Sequence, residues 1–281
     1  MARIPDGQTP AEHFGEQYRV RRSPVMRELE RFVCGCDYGG TSWTTRAEAE
    51  QVGRLLDLRP GKRLLELGAG SGWPGLFIAR TTGCAVTLVD VPLEAIQIAV
   101  ERAIADQLDG TCAAAVADGA TLPFRDNVFD AISHSDVLCC LDAKAAVLRA
   151  CRQVVREGGS MVFSVISIAP GLSSADYARA VDAGPPFVET AVDYPNLLRQ
   201  SGWVIVDCVD LTVEYARTHR RLLREQEARA DELNELMGAA ELSEWMTAKR
   251  ATVEAIESGF LRRQLFVVDA VTTDSTGKRS D

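Results

Sequence analysis

Apolar and polar residues alternate along residues 62–168 in two rhythms. Short apolar runs at KRLLEL (62–67), AVTLVD (85–90), VFDAISHS (128–135) and SMVFSVISI (160–168) have the length of strands. TCAAAVA (111–117) is a weaker run of the same kind. Between them lie stretches with apolar residues three and four places apart: PGLFIART (74–81), PLEAIQIAVERAIADQ (92–107) and AKAAVLRACRQVVRE (143–157). Pro92 suits the first turn of its helix, and Gly158-Gly159 leads into the following strand. A helix at 194–201 and strands at 203–211 and 263–271 complete the pattern. Strict alternation of strand and helix predicts a doubly wound, Rossmann-like α/β fold, a seven-stranded and mostly parallel sheet with helices on both faces.

The flanking segments have a different texture. Residues 1–10 hold Pro5, Gly7 and Pro10 and predict loose chain; 11–33 predict short helices. CGCDYGGTSW (34–43) is a glycine-rich loop carrying Tyr38 and Trp43. TTRAEAEQVGRLLDL (44–58) predicts a helix capped by Thr44 or Thr45. Residues 212–262 are rich in charge, with Leu222, Leu233 and Met246 at helical spacing, and Gly238 is expected to split them into two helices. The expected organisation is a helical cover over 1–43, a core of 44–211 with 263–273, a helical lid at 212–262 and a disordered tail at 274–281.

Composition narrows the function. The formal net charge of −9 argues against a nucleic-acid partner and against an anionic membrane surface. No run is long and apolar enough to span a bilayer, and Arg3 and Asp6 stand where a signal peptide needs an apolar stretch. The eight cysteines sit mostly in apolar runs, as reduced thiols of a cytoplasmic protein would. Three scattered histidines give no metal-ligand cluster.

The candidate chemistry follows the first strand, in LLELGAGSGWPG (64–75). A turn at this carboxyl edge is where doubly wound sheets bind ligands. Gly68, Gly70 and Gly72 let a backbone approach a ligand, but the third glycine of the dinucleotide fingerprint is replaced by Trp73. A tryptophan there is expected to push the next helix off the sheet. Neither Lys nor Arg occurs between 64 and 79, so a phosphate has no cation here. Pro74 fits the first turn of the following helix. Two more strands end in acids. Asp90 can accept both hydroxyls of a ribose, which fits NAD as well, and Asp118 can accept from an adenine amino group.

Together, LLELGAGSG, VTLVD, ADGATLPFRDNVFDAI and LRACRQVVREGGSMVFS resemble the successive motifs of class I S-adenosylmethionine-dependent methyltransferases over roughly residues 44–211 plus the closing strand. The resemblance implies S-adenosylmethionine as cofactor and transfer of its methyl group to a small-molecule acceptor. It implies that Glu66, Gly68, Ala69, Gly70 and Gly72 border the methionine part. Asp90 would bind the ribose, Val91 would pack on adenine, and Asp118 with Gly119 and Ala120 would meet the adenine amine. Ser133 and His134 would stand beside the cofactor at the fourth strand's end. A narrower resemblance, to phosphoethanolamine-type and glycine/sarcosine-type N-methyltransferases, implies that Tyr38, Thr41, Ser42 and Trp43 close over it. It also puts Asp136 on a shared aspartate, whereas that family's following histidine falls on Cys140.

The acceptor stays open between an amine and a hydroxyl. His134 can be a general base or a packed side chain; Asp136 can hold an ammonium or cap the next helix. The charged insertion can be a lid, a solvated cap or the contact of a homodimer. The rival readings are an NAD-dependent oxidoreductase and a non-catalytic cofactor-binding or assembly protein.

Overall fold

The computed structural model describes residue 4 and residues 7–108 and 110–271. The expected tail at 274–281 lies outside them. The chain opens with α1 (Pro10–Arg21), α2 (Pro24–Cys34) and α3 (Arg46–Leu55). Residues 1–10 are not loose to their end. Thr9 and Glu12 form a reciprocal capping box that starts α1 at Pro10. Thr45 and Glu48 do the same for α3.

Next come β1 (Arg63–Leu67), α4 (Gly75–Thr82), β2 (Ala85–Asp90), α5 (Leu93–Ala105), β3 (Cys112–Val116) and β4 (Phe129–Ser135). After a 3-10 turn at Leu138–Cys140 follow α6 (Lys144–Val154), β5 (Val155–Ile168), α7 (Ser174–Ala183), α8 (Tyr194–Gln200) and β6 (Trp203–Asp210). The insertion holds α9 (Thr212–Ala228), α10 (Ala230–Met237) and α11 (Ala239–Glu257), and β7 (Leu261–Ala270) closes the order. Among the described residues seven strands form one sheet, ordered β3-β2-β1-β4-β5-β7-β6. The pairs among β3, β2, β1, β4 and β5 are parallel, and β7 runs antiparallel between β5 and β6. This is the Rossmann-like α/β fold that the alternation predicts.

Period-two alternation sends neighbouring residues to opposite faces. Leu65, Ile132 and Phe163 pack with Leu148 of α6 and Leu198 of α8; Leu64, Ala131 and Val162 pack with Val52 of α3 and Leu76 of α4. A third, smaller core joins segments far apart in sequence: Val25, Met26 and Leu29 of α2 enclose Leu233 of α10. It explains why the insertion has three helices where the sequence predicts two. The break at Arg229, in addition to that at Gly238, turns α10 so that Leu233 is fully buried against α2.

Other boundaries also moved. Helix α6 stops at Val154 rather than 157, because Val155 is fully buried and pairs with Phe129 at the start of β5. A register shift between Phe129 and Ala131 absorbs the Gly158-Gly159 step inside that strand. Helix α7 and the 3-10 turn were not foreseen. Nor does Trp73 push α4 from the sheet. Close packing is supplied two residues later by Gly75, where an added Cβ would lie 3.0 Å from Glu66 Cγ and from Leu88 Cδ2. Pro74 is the residue before the helix rather than its first turn. Among the described residues no helix is long and apolar enough to cross a membrane.

Gly75→Val should therefore overpack the α4–sheet contact and cost about 1–3 kcal/mol. A urea midpoint unchanged from the parent would show that the helix can retreat without penalty.

Candidate active site

The carboxyl ends of β1, β2 and β4 converge under α1 and the loop before α3, enclosing about 790 Å³ of non-protein space, mouth included. Gly68, Gly70, Ser71 and Trp73 form one wall; Asp90, Val91 and Pro92 form a second. Ser135, Asp136, Val137, Cys140 and Leu141 form the third, and Pro10, Phe14, Tyr18, Gly40, Thr41 and Ser42 roof it.

The glycine turn is held from two sides. Asp90 accepts the Gly70 N–H through Oδ2 and the Val91 N–H through Oδ1, each at 2.7 Å. Above, the Tyr18 hydroxyl comes so near that an added Cβ at Gly70 would lie 2.3 Å from it, and Gly70 itself has φ +55°. Tyr18 shares a 3.1 Å hydrogen bond with the Thr41 hydroxyl, and burial pushes its pKa up. Recessed in the wall, the Asp90 carboxyl is raised to about 6 by desolvation, against the pull of the two backbone donors. It is an anion at neutral pH, with acceptor capacity to spare.

Glu66 lies below this floor and does not line the space. It is 1% exposed, accepts a hydrogen bond from the Ser133 hydroxyl, and is pushed up to about 7 by burial. Ala69 is fully buried, with its N–H donated to Val89 O at 3.0 Å, and Gly72 donates to Ala69 O at 2.8 Å. Asp118 stands exposed beyond β3, one oxygen accepting the Ala120 N–H at 2.8 Å; Gly119 is buried against Leu67. None of these three lines the enclosed space.

Three expectations need correction. His134 is not at the pocket. It shares the face of Ile132, is 1% exposed, and stacks 4.6 Å from the Phe163 ring. Neither ring nitrogen has a hydrogen-bond partner among the described residues, and burial lowers its pKa to about 3. A neutral imidazole in an apolar core is not placed as a base. Tyr38 and Trp43 are the other two. The Tyr38 hydroxyl donates to Asp106 at 3.1 Å and its ring backs onto Trp73 from outside the pocket. Trp43 is buried between Arg21 and His219. The cause is Glu30, which takes the Gly39 and Gly40 N–H groups and folds the loop so that Thr41 and Ser42 face the pocket instead.

Asp136 does line the pocket, in a left-handed conformation at φ 56°. Its partner was invisible in sequence. Arg263 of β7, 2% exposed, donates through Nε to both Asp136 oxygens at 3.0 Å, and its other nitrogens reach Glu48 at 2.6 Å, Ser164 at 3.1 Å and Thr44 at 3.2 Å. Burial alone would lower the guanidinium pKa, but the facing carboxylates of Asp136 and Glu48 outweigh it and raise it. A strand arginine reads as solvated, so nothing in the pattern marks it. Tyr18 and Phe14 were missed for a similar reason: both lie in a short helix whose apolar face is weak in sequence.

Residues 65–163 match the family described as a methyltransferase domain. Over these residues the chain is similar to methyltransferase domains. The chain is 27% identical over 215 residues to a phosphoethanolamine N-methyltransferase of Triticum aestivum, covering 76% of this chain and 42% of that one. It is 29% identical over 163 residues to the 27-O-demethylrifamycin SV methyltransferase of Amycolatopsis mediterranei, covering 57% and 60%. The fold is shared with Haemonchus contortus phosphoethanolamine N-methyltransferase 2, solved with phosphomonomethylethanolamine and S-adenosylhomocysteine, at a TM-score of 0.78 and 13% identity over 96% of this chain and 62% of that one. The chain spans half or less of the length of the plant phosphoethanolamine relatives. The matched region falls on the strands that build the pocket floor, and none of these relatives supports the NAD-dependent reading.

Two measurements follow from the buried groups. Glu66 has its folded pKa raised from 4.5 to about 7, so the folded state holds the extra proton between those values. Its contribution to stability is full below about pH 4.5 and is lost as pH rises through about 7, on the order of 3 kcal/mol. Glu66→Gln should flatten that part of the urea-midpoint profile between pH 5 and 8; an unaltered slope would assign it to other groups. His134→Phe should leave turnover and its pH profile intact, with stability within about 1 kcal/mol of the parent or higher, since two unpartnered polar atoms leave the core. A lost turnover would return His134 to the chemistry.

Proposed function

We propose that the protein transfers the methyl group of S-adenosylmethionine to a small-molecule acceptor by in-line displacement and releases S-adenosylhomocysteine. The observation that carries this reading is the pocket's lining: Asp90 on its wall, Asp136 already paired with Arg263 behind it, and no Lys or Arg among the described lining residues. A pyrophosphate cofactor would find no side-chain cation there, whereas a sulfonium cofactor without phosphate needs none. That is also the argument against the nicotinamide reading.

Gly68, Ala69, Gly70 and Gly72 supply the backbone cradle for the methionine end. Asp90, ionised above about pH 6, accepts from the ribose hydroxyls, and Val91, 38% exposed, offers an apolar surface for adenine. Asp118, with Gly119 and Ala120, waits at the outer end for the adenine amine. Glu66 and Ser133 brace the floor from below. When bound, S-adenosylmethionine supplies a methyl group already activated by its sulfur. The chain then has to orient the acceptor and exclude water, which is worth roughly 7–11 kcal/mol when the geometry is right. Phe14 and Tyr18 of α1 close the roof for that purpose.

The acceptor is an amine or a hydroxyl, and relatives of both kinds stand behind this choice. The insertion α9–α11 acts as a lid through α2 rather than as a dimer contact, because Leu222, Leu233 and Met246 are already buried against the chain itself. The buried thiols of Cys34, Cys36, Cys84, Cys139 and Cys151 favour a reducing, cytoplasmic setting.

Calorimetry with S-adenosylhomocysteine tests the reading directly: it should bind, and NADH should not. The reverse result would sink it. Asp90→Ala should weaken S-adenosylhomocysteine by about 2 kcal/mol, roughly thirtyfold. In the parent, affinity should rise as pH passes upward through about 6, and this rise should vanish in Asp90→Asn. A pH-independent affinity in the parent would remove Asp90 from the site.

A further inference from the structure

Asp136 is the acid on the wall away from Asp90, at the end of β4. A carboxylate in such a place is a natural seat for an ammonium group, if its charge is available. Here it is already engaged. Arg263 meets both of its oxygens at 3.0 Å, and the pair is withdrawn from water, with side chains 2% and 7% exposed. The second acid on the guanidinium, Glu48, has its own offset. Its other oxygen takes the Thr45 N–H at the N-terminus of α3, where the helix dipole favours negative charge.

Beside Asp136, with Ser135 and Cys140 on the same wall, this end of the pocket carries several apolar side chains. Pro10 and Phe14 face it from α1, and Val137 and Leu141 from the turn after β4. Asp90 is bound to the backbone of the glycine turn, on the opposite wall. An ammonium acceptor would have to leave water for a wall with no uncommitted carboxylate, and an anionic one for a wall with no cation; both are costly.

We propose that the acceptor end of this pocket takes an uncharged, largely apolar molecule, and that Arg263 sets this selectivity by holding the Asp136 carboxylate. The proposal rests on the methyltransferase reading above and narrows its acceptor. Arg263 is a positioning residue; it acts on the acceptor through Asp136.

The test uses the full chain saturated with S-adenosylhomocysteine, so that cofactor binding is read first and separately. Failure at that step would strike the methyltransferase reading itself. With cofactor product bound, calorimetric titration with ethanolamine and with sarcosine should give no binding at millimolar concentration. Labelled S-adenosylmethionine should pass no methyl group to ethanolamine, phosphoethanolamine or sarcosine. The double variant Glu48→Gln with Arg263→Gln leaves Asp136 as an unpaired acid. It should bring ethanolamine binding into the millimolar range, where the parent shows none. Binding or methylation of any of these amines by the parent would overturn the proposal. So would a variant that keeps cofactor affinity yet gains nothing for ethanolamine. Should the variant not fold, the parent's transfer assay decides alone.

Discussion

The pocket depends on one buried charge. A guanidinium taken out of water costs several kcal/mol unless each of its nitrogens finds a partner. Arg263 meets that requirement across four elements: its own strand β7, Asp136 after β4, Ser164 of β5, and the Thr44–Glu48 start of α3. Its backbone is tied as well. The Leu211 N–H donates to its carbonyl and its own N–H donates to the Thr212 hydroxyl, so the insertion leaves the sheet at a fixed point. Take that charge away and three segments lose their common anchor.

From there the pocket assembles outward. The turn at Asp136 carries Val137 against the glycine loop, so closely that a Cβ at Gly68 would fall 2.4 Å from its methyl carbon. Tyr18 meets the same loop from above and is tied to Thr41. Thr41 faces inward because Glu30 grips the two preceding N–H groups. Trp73 donates its indole N–H to Thr44 O at 2.8 Å, which joins this roof to the arginine network. Cofactor loop, roof and acceptor wall are therefore parts of one hydrogen-bonded frame.

Much of this was legible in sequence. The strands, their mostly parallel arrangement and the acid at the end of β2 follow from local periodicity and from a turn chemistry with few alternatives. Local signals failed where distant contacts decided. Whether His134 faced ligand or core depended on strand parity relative to its neighbours, and a single residue's difference reverses that. Tyr38 and Trp43 were assigned by analogy to a loop whose direction is set by Glu30, several residues upstream. Gly75 did the packing expected of a glycine at 73, a shift that only the measured approach to Glu66 and Leu88 reveals. Arg263 could not be read at all, because a charge in a strand advertises solvent until its partners are in place.

The small core of Val25, Met26, Leu29 and Leu233 has a consequence for how the chain may be cut. By sequence the leading helices and the insertion are separate additions to a common domain, some two hundred positions apart. In space each is the other's inner surface. A shortened chain beginning at α3 would not simply lose a cover; it would leave α10 with an uncovered greasy face. Transplanting the insertion alone onto another domain would carry the same defect. The two additions are one part, written in two places.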